Sequence, residues 1–171
     1  MSIIHKSKSN EYYTPITAWD DIIHIIKNSN KKYIEPFNNI DDDLSIVSRN
    51  FLKKHLNIID TGIYNSNTNE NNFFDIDINL YDICISNPPF SIKQKILYHL
   101  HIHNKPFILI LPTSTLNTIY FKKWFSKDIQ LIIPKKRINF NYYLDNKKSC
   151  CFDCIYFCYK IGLEKDIYFL E

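Results

Sequence analysis

Glycine, long apolar runs and paired cysteines are scarce or absent in this chain, and the last two shortages exclude a transmembrane helix and a disulfide framework. No apolar run approaches the roughly 20 residues that a transmembrane helix needs, and residues 1–6 lack the features of a signal peptide. The five cysteines are odd in number and four lie within residues 150–158, which excludes a disulfide framework. Only two glycines accompany abundant asparagine, isoleucine and lysine, a composition typical of an AT-rich genome. We therefore expect a soluble intracellular protein.

The 171 residues are enough for one domain with a substantial core, and their charges are unevenly distributed. Between residues 35 and 82 there are nine acidic residues and three basic ones, whereas residues 91–137 contain nine basic residues and one acid. The basic second half favours a nucleic-acid backbone as partner. A solvated charged surface without a partner is the alternative.

The most informative stretch begins with a short apolar run at residues 81–86, which predicts a buried parallel strand. It leads into Asn87-Pro88-Pro89-Phe90, where two consecutive prolines must end the strand. Open α/β sheets bind ligands in loops at the carboxyl ends of their strands. This Asn-Pro-Pro-Phe loop offers an amide oxygen, fixed backbone carbonyls and an aromatic face, which suit a flat ring bearing an amino group. The alternative is a double-proline strand terminator with a packed phenylalanine.

The rest of the chain predicts further helices and strands. Helices are predicted at residues 20–26, 44–55, 91–103 and 115–125, with Thr14 or Thr17 capping the first and Ser91 the third. Strands are predicted within residues 31–39 and at 56–60, 106–112, 130–133 and 150–161, with a loop at 61–72 and a hairpin connection at 141–149. Asp60 ends one of these strands, where an acid can accept hydrogen bonds from a ribose diol. A helix cap or a solvated turn is the alternative role for Asp60.

The Asn-Pro-Pro-Phe loop after such a strand resembles the catalytic motif of the amino-methyltransferases that use S-adenosylmethionine, above all those acting on adenine N6 in DNA. Further elements follow in the family's order: Tyr-Thr-Pro, Glu-Pro-Phe, Phe-Phe, then Lys-Arg-Ile-Asn-Phe and Phe-Asp-Cys before the final strand. The chain is most similar to the compact orphan methyltransferases of phages and large DNA viruses. The resemblance implies an α/β, Rossmann-like methyltransferase fold with a mostly parallel central sheet and a C-terminal antiparallel hairpin.

The resemblance also implies S-adenosylmethionine as cofactor and assigns its contacts to three segments, besides Asp60. Tyr13-Thr14-Pro15 would pack against the methionine end, Glu35-Pro36-Phe37 would form the cofactor loop, and Asn72 with Phe73, at the third strand, would contact the adenine. The chain departs from the family twice, because Asn38 and Asn39 stand in place of a glycine and Asn72 in place of an acid. Asparagine tolerates a left-handed backbone better than other non-glycine residues, so the turn at residues 38–39 is expected to form.

A basic cluster ends in an aromatic residue at positions 134–140. Lys135, Lys136 and Arg137 would bind phosphates, and Phe140 would stack on or wedge against a base. The segment also resembles the Arg-Ile-x-Phe element that closes over the target base in phage-type adenine methyltransferases. Lys93 is a further candidate for substrate contact.

The resemblance therefore implies methyl transfer to adenine N6 in DNA, with Asn87, Pro88, Pro89 and Phe90 catalytic and no metal required. We expect residues 1–10 to be a flexible tail and residues 11–171 a single domain without a separate target-recognition domain. Specificity would then come from short loops or a partner. We expect a homodimer or a partner subunit and no contact with a membrane, and a viral protein would act in the host cytoplasm. The alternatives are an RNA adenine methyltransferase, a protein glutamine methyltransferase of release-factor type, and a degenerate, non-catalytic partner subunit or binding module.

Two spacings imitate metal sites. His99 and His103 are one helical turn apart, and Cys151 and Cys154 have the spacing of a zinc knuckle. A surface or packing role is favoured for the histidines, which have no third ligand in a defined place. Buried reduced thiols are favoured for the cysteines, because Cys151 points to the opposite face of the expected strand from Cys154. Cys150, Cys154 and Cys158 share their face with Phe152 and Tyr156.

Overall fold

The computed structural model describes residues 12–28, 30–37, 43–60, 73–142 and 152–171. Several expectations lie outside these residues: the tail at 1–10, the turn at Asn38 and Asn39, the loop at 61–72 with Asn72, the connection at 143–149, and Cys150 and Cys151. The helices of the described residues are α1 (Ile16–Ile26), α2 (Asp43–His55), α3 (Lys93–Ile102) and α4 (Ile119–Phe125). The strands are β1 (Tyr12–Tyr13), β2 (Tyr33–Ile34), β3 (Ile83–Ser86), β4 (Phe107–Pro112), β5 (Ile129–Ile133), β6 (Asn141–Tyr142), β7 (Cys154–Tyr159) and β8 (Ile167–Phe169).

Six strands form one mostly parallel sheet in the order β2-β3-β4-β7-β5-β8. β3 pairs in parallel with β2 and with β4, which confirms the prediction of neighbouring buried parallel strands at these positions. β7 is the antiparallel member and lies between β4 and β5. The fold is therefore α/β, as expected, although β8, which pairs in parallel with β5, was not predicted.

Helices cover both faces of this sheet, and alternate residues along each strand pack against them. On one face, α1 and α2 pack on a core that includes Trp19, Leu52, Ile85 and Tyr156. On the other face, α3 and α4 pack on a core rich in aromatic rings: Phe73, Phe107, Phe121, Phe125 and Phe157. Period-two alternation explains why Cys154, Tyr156 and Cys158 share the first face, as predicted, and why both thiols are buried. Among the described residues, no helix is both long and apolar enough to cross a membrane.

The helix starts differ from expectation. Pro15 precedes α1 and no side chain caps that helix, so the expected cap by Thr14 or Thr17 is wrong. Ser91 does not cap α3, because the double proline leads into a 3-10 turn at Phe90–Ile92 and the α-helix begins only at Lys93. The helix expected at residues 115–125 is likewise divided into a 3-10 segment (Thr113–Asn117) and α4, with an extended residue, Thr118, between them.

Three expected strands also differ. Residues 56–60 do not form a full strand, and only Ile58 makes a parallel bridge with Tyr33. Phe73 begins a 3-10 turn, Phe73–Asp75, and not a strand, and its fully buried ring packs against the rings of Phe37 and His99. The last long strand, expected at residues 150–161, is the shorter β7 in the described residues.

Candidate active site

The strand order reverses between β2 and β3. After β2 the chain next pairs on the outer side of that strand, through Ile58, and it then returns to form β3 on the inner side. In open α/β sheets this reversal leaves a crevice at the carboxyl ends of the strands, where ligands bind. Glu35-Pro36-Phe37 follows β2 and the Asn-Pro-Pro-Phe loop follows β3, so the fold brings these two predicted segments to one crevice.

A hydrogen bond joins the two strand ends at this crevice. The hydroxyl of Ser86, the last residue of β3, donates to Glu35 Oε1 at 2.9 Å. Ser86 is fully buried, and Glu35 is the first residue after β2. The bond therefore fixes the start of the cofactor-loop candidate relative to the strand that carries Asn87.

The environment of Glu35 favours its protonated form. Burial raises the pKa of Glu35 to about 7, although the Ser86 hydrogen bond, the positive charge of Arg49 and the backbone N–H of Phe37 all act to lower it. A carboxyl group with this pKa changes charge close to neutral pH. The crevice thus contains a titratable group that can respond to the charge of a bound ligand.

Arg49 on α2 connects Glu35 electrostatically with Asp60. Only 8% of Arg49 is exposed, and its Nη2 donates to Asp60 Oδ1 at 2.8 Å. Sequence reasoning did not single out Arg49 or Ser86. The available signal for Arg49 was that it is one of only two arginines in the chain and lies in the acidic half.

Asp60, the predicted ribose ligand, follows the segment that pairs with β2 and therefore lies at the same edge of the sheet as Glu35. Its side chain is 62% exposed and forms ion pairs with Arg49 at 2.8 Å and Lys53 at 3.2 Å. The hydrogen bond from Lys53 and the charges of both cations lower the pKa of Asp60. A carboxylate has about four acceptor positions, so an ionised Asp60 with two cationic partners retains capacity for ribose hydroxyls.

The Asn-Pro-Pro-Phe loop is held by packing on both sides. Pro88 is buried, Asn87 and Phe90 are half-buried, and the 3-10 turn begins directly at Phe90. The Phe90 ring makes edge contacts with Phe140, at 6.5 Å between centroids, and with Phe152, at 5.2 Å. The loop that carries the acceptor oxygen of Asn87 is therefore part of an aromatic cluster.

Two other predicted groups also come together. β1, which includes Tyr13, pairs antiparallel with β6 immediately after Phe140, so the Tyr-Thr-Pro segment and the basic-aromatic segment are joined. The ring of Phe37 lies 5.1 Å from the ring of Phe73, and this contact joins two of the segments assigned to the cofactor. Thr14 and Pro15 are half-buried, Pro36 is buried, and Phe73 is fully buried.

The basic segment leaves the carboxyl end of β5, which is parallel to β4 because both pair antiparallel with β7. It therefore begins at the same edge of the sheet as Asn87, as expected. Lys135 and Lys136 are exposed, whereas Arg137 Nε lies 2.9 Å from Asp153 Oδ1. Phe140, the expected base-contacting ring, is only 6% exposed.

Lys93, at the start of α3, is close to the catalytic-loop candidate. Its ammonium group donates to the Phe90 carbonyl at 3.4 Å, and the side chain is half-buried. This contact places one positive charge beside the aromatic cluster.

The metal-like spacings have packing explanations where the structure describes them. His99 and His103 contact each other with ring centroids 4.7 Å apart, and His99 also packs on Phe73 at 5.0 Å. In the described parts of the chain, no three His, Cys, Asp or Glu side chains converge as metal ligands. Burial raises the pKa of Cys158 to about 12, so this thiol stays protonated.

The raised pKa of Glu35 gives a testable pH dependence. The folded protein binds the proton of the Glu35 carboxyl group more tightly than the unfolded chain does. The stability that this proton contributes is therefore fully present below pH 4.5 and is lost as the pH rises to about 7. The unfolding free energy of the wild type should therefore fall between pH 5 and pH 8. In Glu35→Gln this fall should be smaller by up to about 3 kcal/mol. Urea denaturation of both proteins at several pH values measures this difference.

Glu164→Gln is the matched control, because Glu164 is exposed and its replacement by Gln removes the same carboxyl group. It should leave the pH dependence of stability unchanged. Equal pH profiles for wild type and Glu35→Gln would show that Glu35 is ionised across the whole range.

The crevice thus contains an acid that titrates near neutrality, a second acid paired with two cations, and a proline-fixed loop with an amide and an aromatic ring. No protein-family model matches the chain, and no curated protein or solved structure matches it.

Proposed function

We propose that this protein is an S-adenosylmethionine-dependent methyltransferase that acts on the N6 amino group of adenine in DNA. The observation that carries the proposal is the position of the Asn-Pro-Pro-Phe loop. It follows β3 at the strand-order reversal, beside the Glu35-Pro36-Phe37 segment. This is the crevice where an α/β sheet binds its ligand, and the loop that enters it carries the acceptor groups for an amine.

The fold is consistent with the Rossmann-like methyltransferase fold that the motif resemblance implies. The sheet is mostly parallel, helices cover both faces, and an antiparallel strand near the C-terminal end, β7, lies between β4 and β5. These features support the proposal at the level of architecture, while the loop chemistry supports it at the level of the reaction.

The side chains at the crevice fit the chemistry of S-adenosylmethionine. Its positively charged sulfonium and amino groups suit Glu35, whose ionised form a bound cation would stabilise, and its ribose diol suits the exposed side chain of Asp60. Phe37, which is half-buried, provides aromatic contact area for its adenine, and the fully buried Phe73 supports the Phe37 ring from behind. When bound, the cofactor supplies an electrophilic methyl group.

In the proposed mechanism, the Asn87 side-chain oxygen and the Pro88 carbonyl accept hydrogen bonds from the two N–H groups of the adenine amine. These bonds favour a pyramidal nitrogen, whose lone pair is then less delocalised into the ring and more nucleophilic. Phe90 holds the plane of the ring. Alignment of the amine by these three residues can supply up to roughly 7–11 kcal/mol of the barrier reduction.

The target adenine must leave the base stack to reach this loop, or must already be single-stranded. Lys93 and the exposed Lys135 and Lys136 lie at the same edge of the sheet and suit the phosphates beside an extruded nucleotide. Phe140 is buried and packs edge-on against Phe90, so it supports the ring on which the base would stack.

Incubation with methyl-labelled S-adenosylmethionine and, in parallel, double-stranded DNA, single-stranded DNA, RNA and protein tests the proposal. We expect label in DNA, recovered as N6-methyladenine after digestion. Adenine in which the N6 position is already methylated should accept much less label.

The control for substrate class is built into the assay. Label recovered mainly in RNA or in protein glutamine would contradict the DNA assignment and support one of the alternative methyltransferases. Absence of transfer, together with no thermal shift at millimolar cofactor, would favour the non-catalytic alternative.

A further inference from the structure

A second cavity lies at the opposite edge of the sheet from the candidate active site. It has a volume of about 650 Å³ and is open to solvent. It is bordered by the amino ends of the parallel strands, at Tyr33, Ile83 and Pro106, and by the turn after β7. None of the residues assigned to methyl transfer lines it.

The lining of this cavity, which we name the amino-edge cleft, is predominantly cationic. It contains four lysines, Lys27, Lys31, Lys105 and Lys160, against two acids, Asp82 and Glu164. One of the acids is already engaged, because Asp82 Oδ2 accepts the backbone N–H of Lys32 at 2.8 Å. The cleft therefore attracts anions.

Two of the lysines are fixed in position by the protein. The Lys105 ammonium donates to the Tyr81 carbonyl at 2.8 Å and lies 4.8 Å from the centroid of the Tyr81 ring. The Lys160 ammonium donates to Asn104 Oδ1 at 2.7 Å. Each ammonium has three N–H donors, so these bonds orient the group and leave donors for a ligand. Cations that are already ordered lose less side-chain entropy when a ligand binds.

We propose that the amino-edge cleft binds a phosphorylated small molecule of nucleotide size. Its volume lies within the roughly 300–1,000 Å³ of small-molecule sites, which is more than a single phosphate needs. Its lysines favour a polyanion over the apolar ligands that most such cavities accept. The same lysines could meet phosphates of a nucleic-acid backbone, but a duplex is far too large to enter a cavity of this volume and could contact only its rim.

The double substitution Lys27→Gln and Lys31→Gln tests the proposal, since both side chains are exposed and the backbone N–H groups that these residues donate are kept. Inorganic triphosphate is the first probe, because it lacks a base and so does not imitate the adenine of the proposed cofactor. We expect titration calorimetry to show binding to wild type and about tenfold weaker binding to the double variant. ATP should show the same loss.

The double variant Lys122→Gln, Lys123→Gln is the matched control. These exposed lysines lie on α4, away from the cleft, and their replacement removes the same two charges. The control should bind triphosphate as wild type does. No binding to wild type at millimolar probe, or an equal loss in the control, would overturn the proposal. If a short DNA duplex binds in a way that requires Lys27 and Lys31 while triphosphate does not bind, the proposal is also overturned, in favour of a contact with the nucleic-acid backbone.

Discussion

Replacing Asn87 by alanine is expected to reduce methyl transfer by at least about 10²–10³-fold, the size of effect seen when one preorganised polar group is removed from a reacting centre. The substitution removes the side-chain oxygen that accepts from the adenine amine, and the Pro88 carbonyl alone cannot hold both N–H groups. Cofactor binding should change little, because the groups assigned to it lie after β2, on Asp60 and on the N-terminal segment. Single-turnover transfer and cofactor titration measure the two effects separately.

Two further variants sharpen this experiment. Asn87→Asp keeps an acceptor oxygen on a side chain of the same length, so it should retain more activity than Asn87→Ala. Asn50→Ala is the control, because Asn50 is exposed on α2 and the change removes the same amide group. Undiminished turnover in Asn87→Ala would contradict the mechanism, whereas a parallel loss of cofactor binding would move Asn87 to the cofactor site.

The sequence predicts the centre of the fold better than its edges. β3 and β4 were recognisable because continuous apolar runs of this length, bounded by proline or polar residues, occur in buried parallel strands. β8 was not, because Ile167 and Phe169 are largely exposed at the sheet edge and have no pattern that distinguishes them from a loop. The start of α3 was displaced for a local reason, since Pro88 and Pro89 impose a turn that propensity alone does not reveal.

The site shows the same division. Asn87 and Glu35 were identified from short motifs, but their relation depends on Ser86, which bonds to a residue 51 positions away. Arg49 likewise acts on Asp60 and Glu35 only after α2 has folded against the sheet. Composition gave the basic character of residues 134–140 without showing that the cations and the aromatic residue face different ways, with Lys135 and Lys136 exposed and Phe140 buried.

Replacing Lys135, Lys136 and Arg137 together by alanine is expected to weaken binding to duplex DNA by about 10–100-fold at low salt, whatever the sequence of the duplex. Each bound phosphate releases counterions, so the slope of log affinity against log salt should flatten by about 0.9 for each phosphate that the variant no longer binds. The expected change lies between the values for two and three phosphates, because Arg137 already pairs with Asp153, whereas Lys135 and Lys136 extend into solvent. Binding to a labelled duplex across a salt series measures both quantities.

The matched control replaces Lys122, Lys123 and Lys127 by alanine. These lysines are exposed on α4 and the turn after it, and their replacement also removes three positive charges. If the basic segment binds phosphates, the control should leave most of the salt slope intact. Phe140→Leu should act differently, lowering turnover more than affinity, because a buried ring against Phe90 positions the base and does not contact the backbone. An unchanged salt slope in the variant of Lys135, Lys136 and Arg137 would show that residues 135–137 are only a solvated surface. The protein glutamine methyltransferase would then become the better assignment, because that reaction needs the Asn-Pro-Pro-Phe loop but no phosphate contacts.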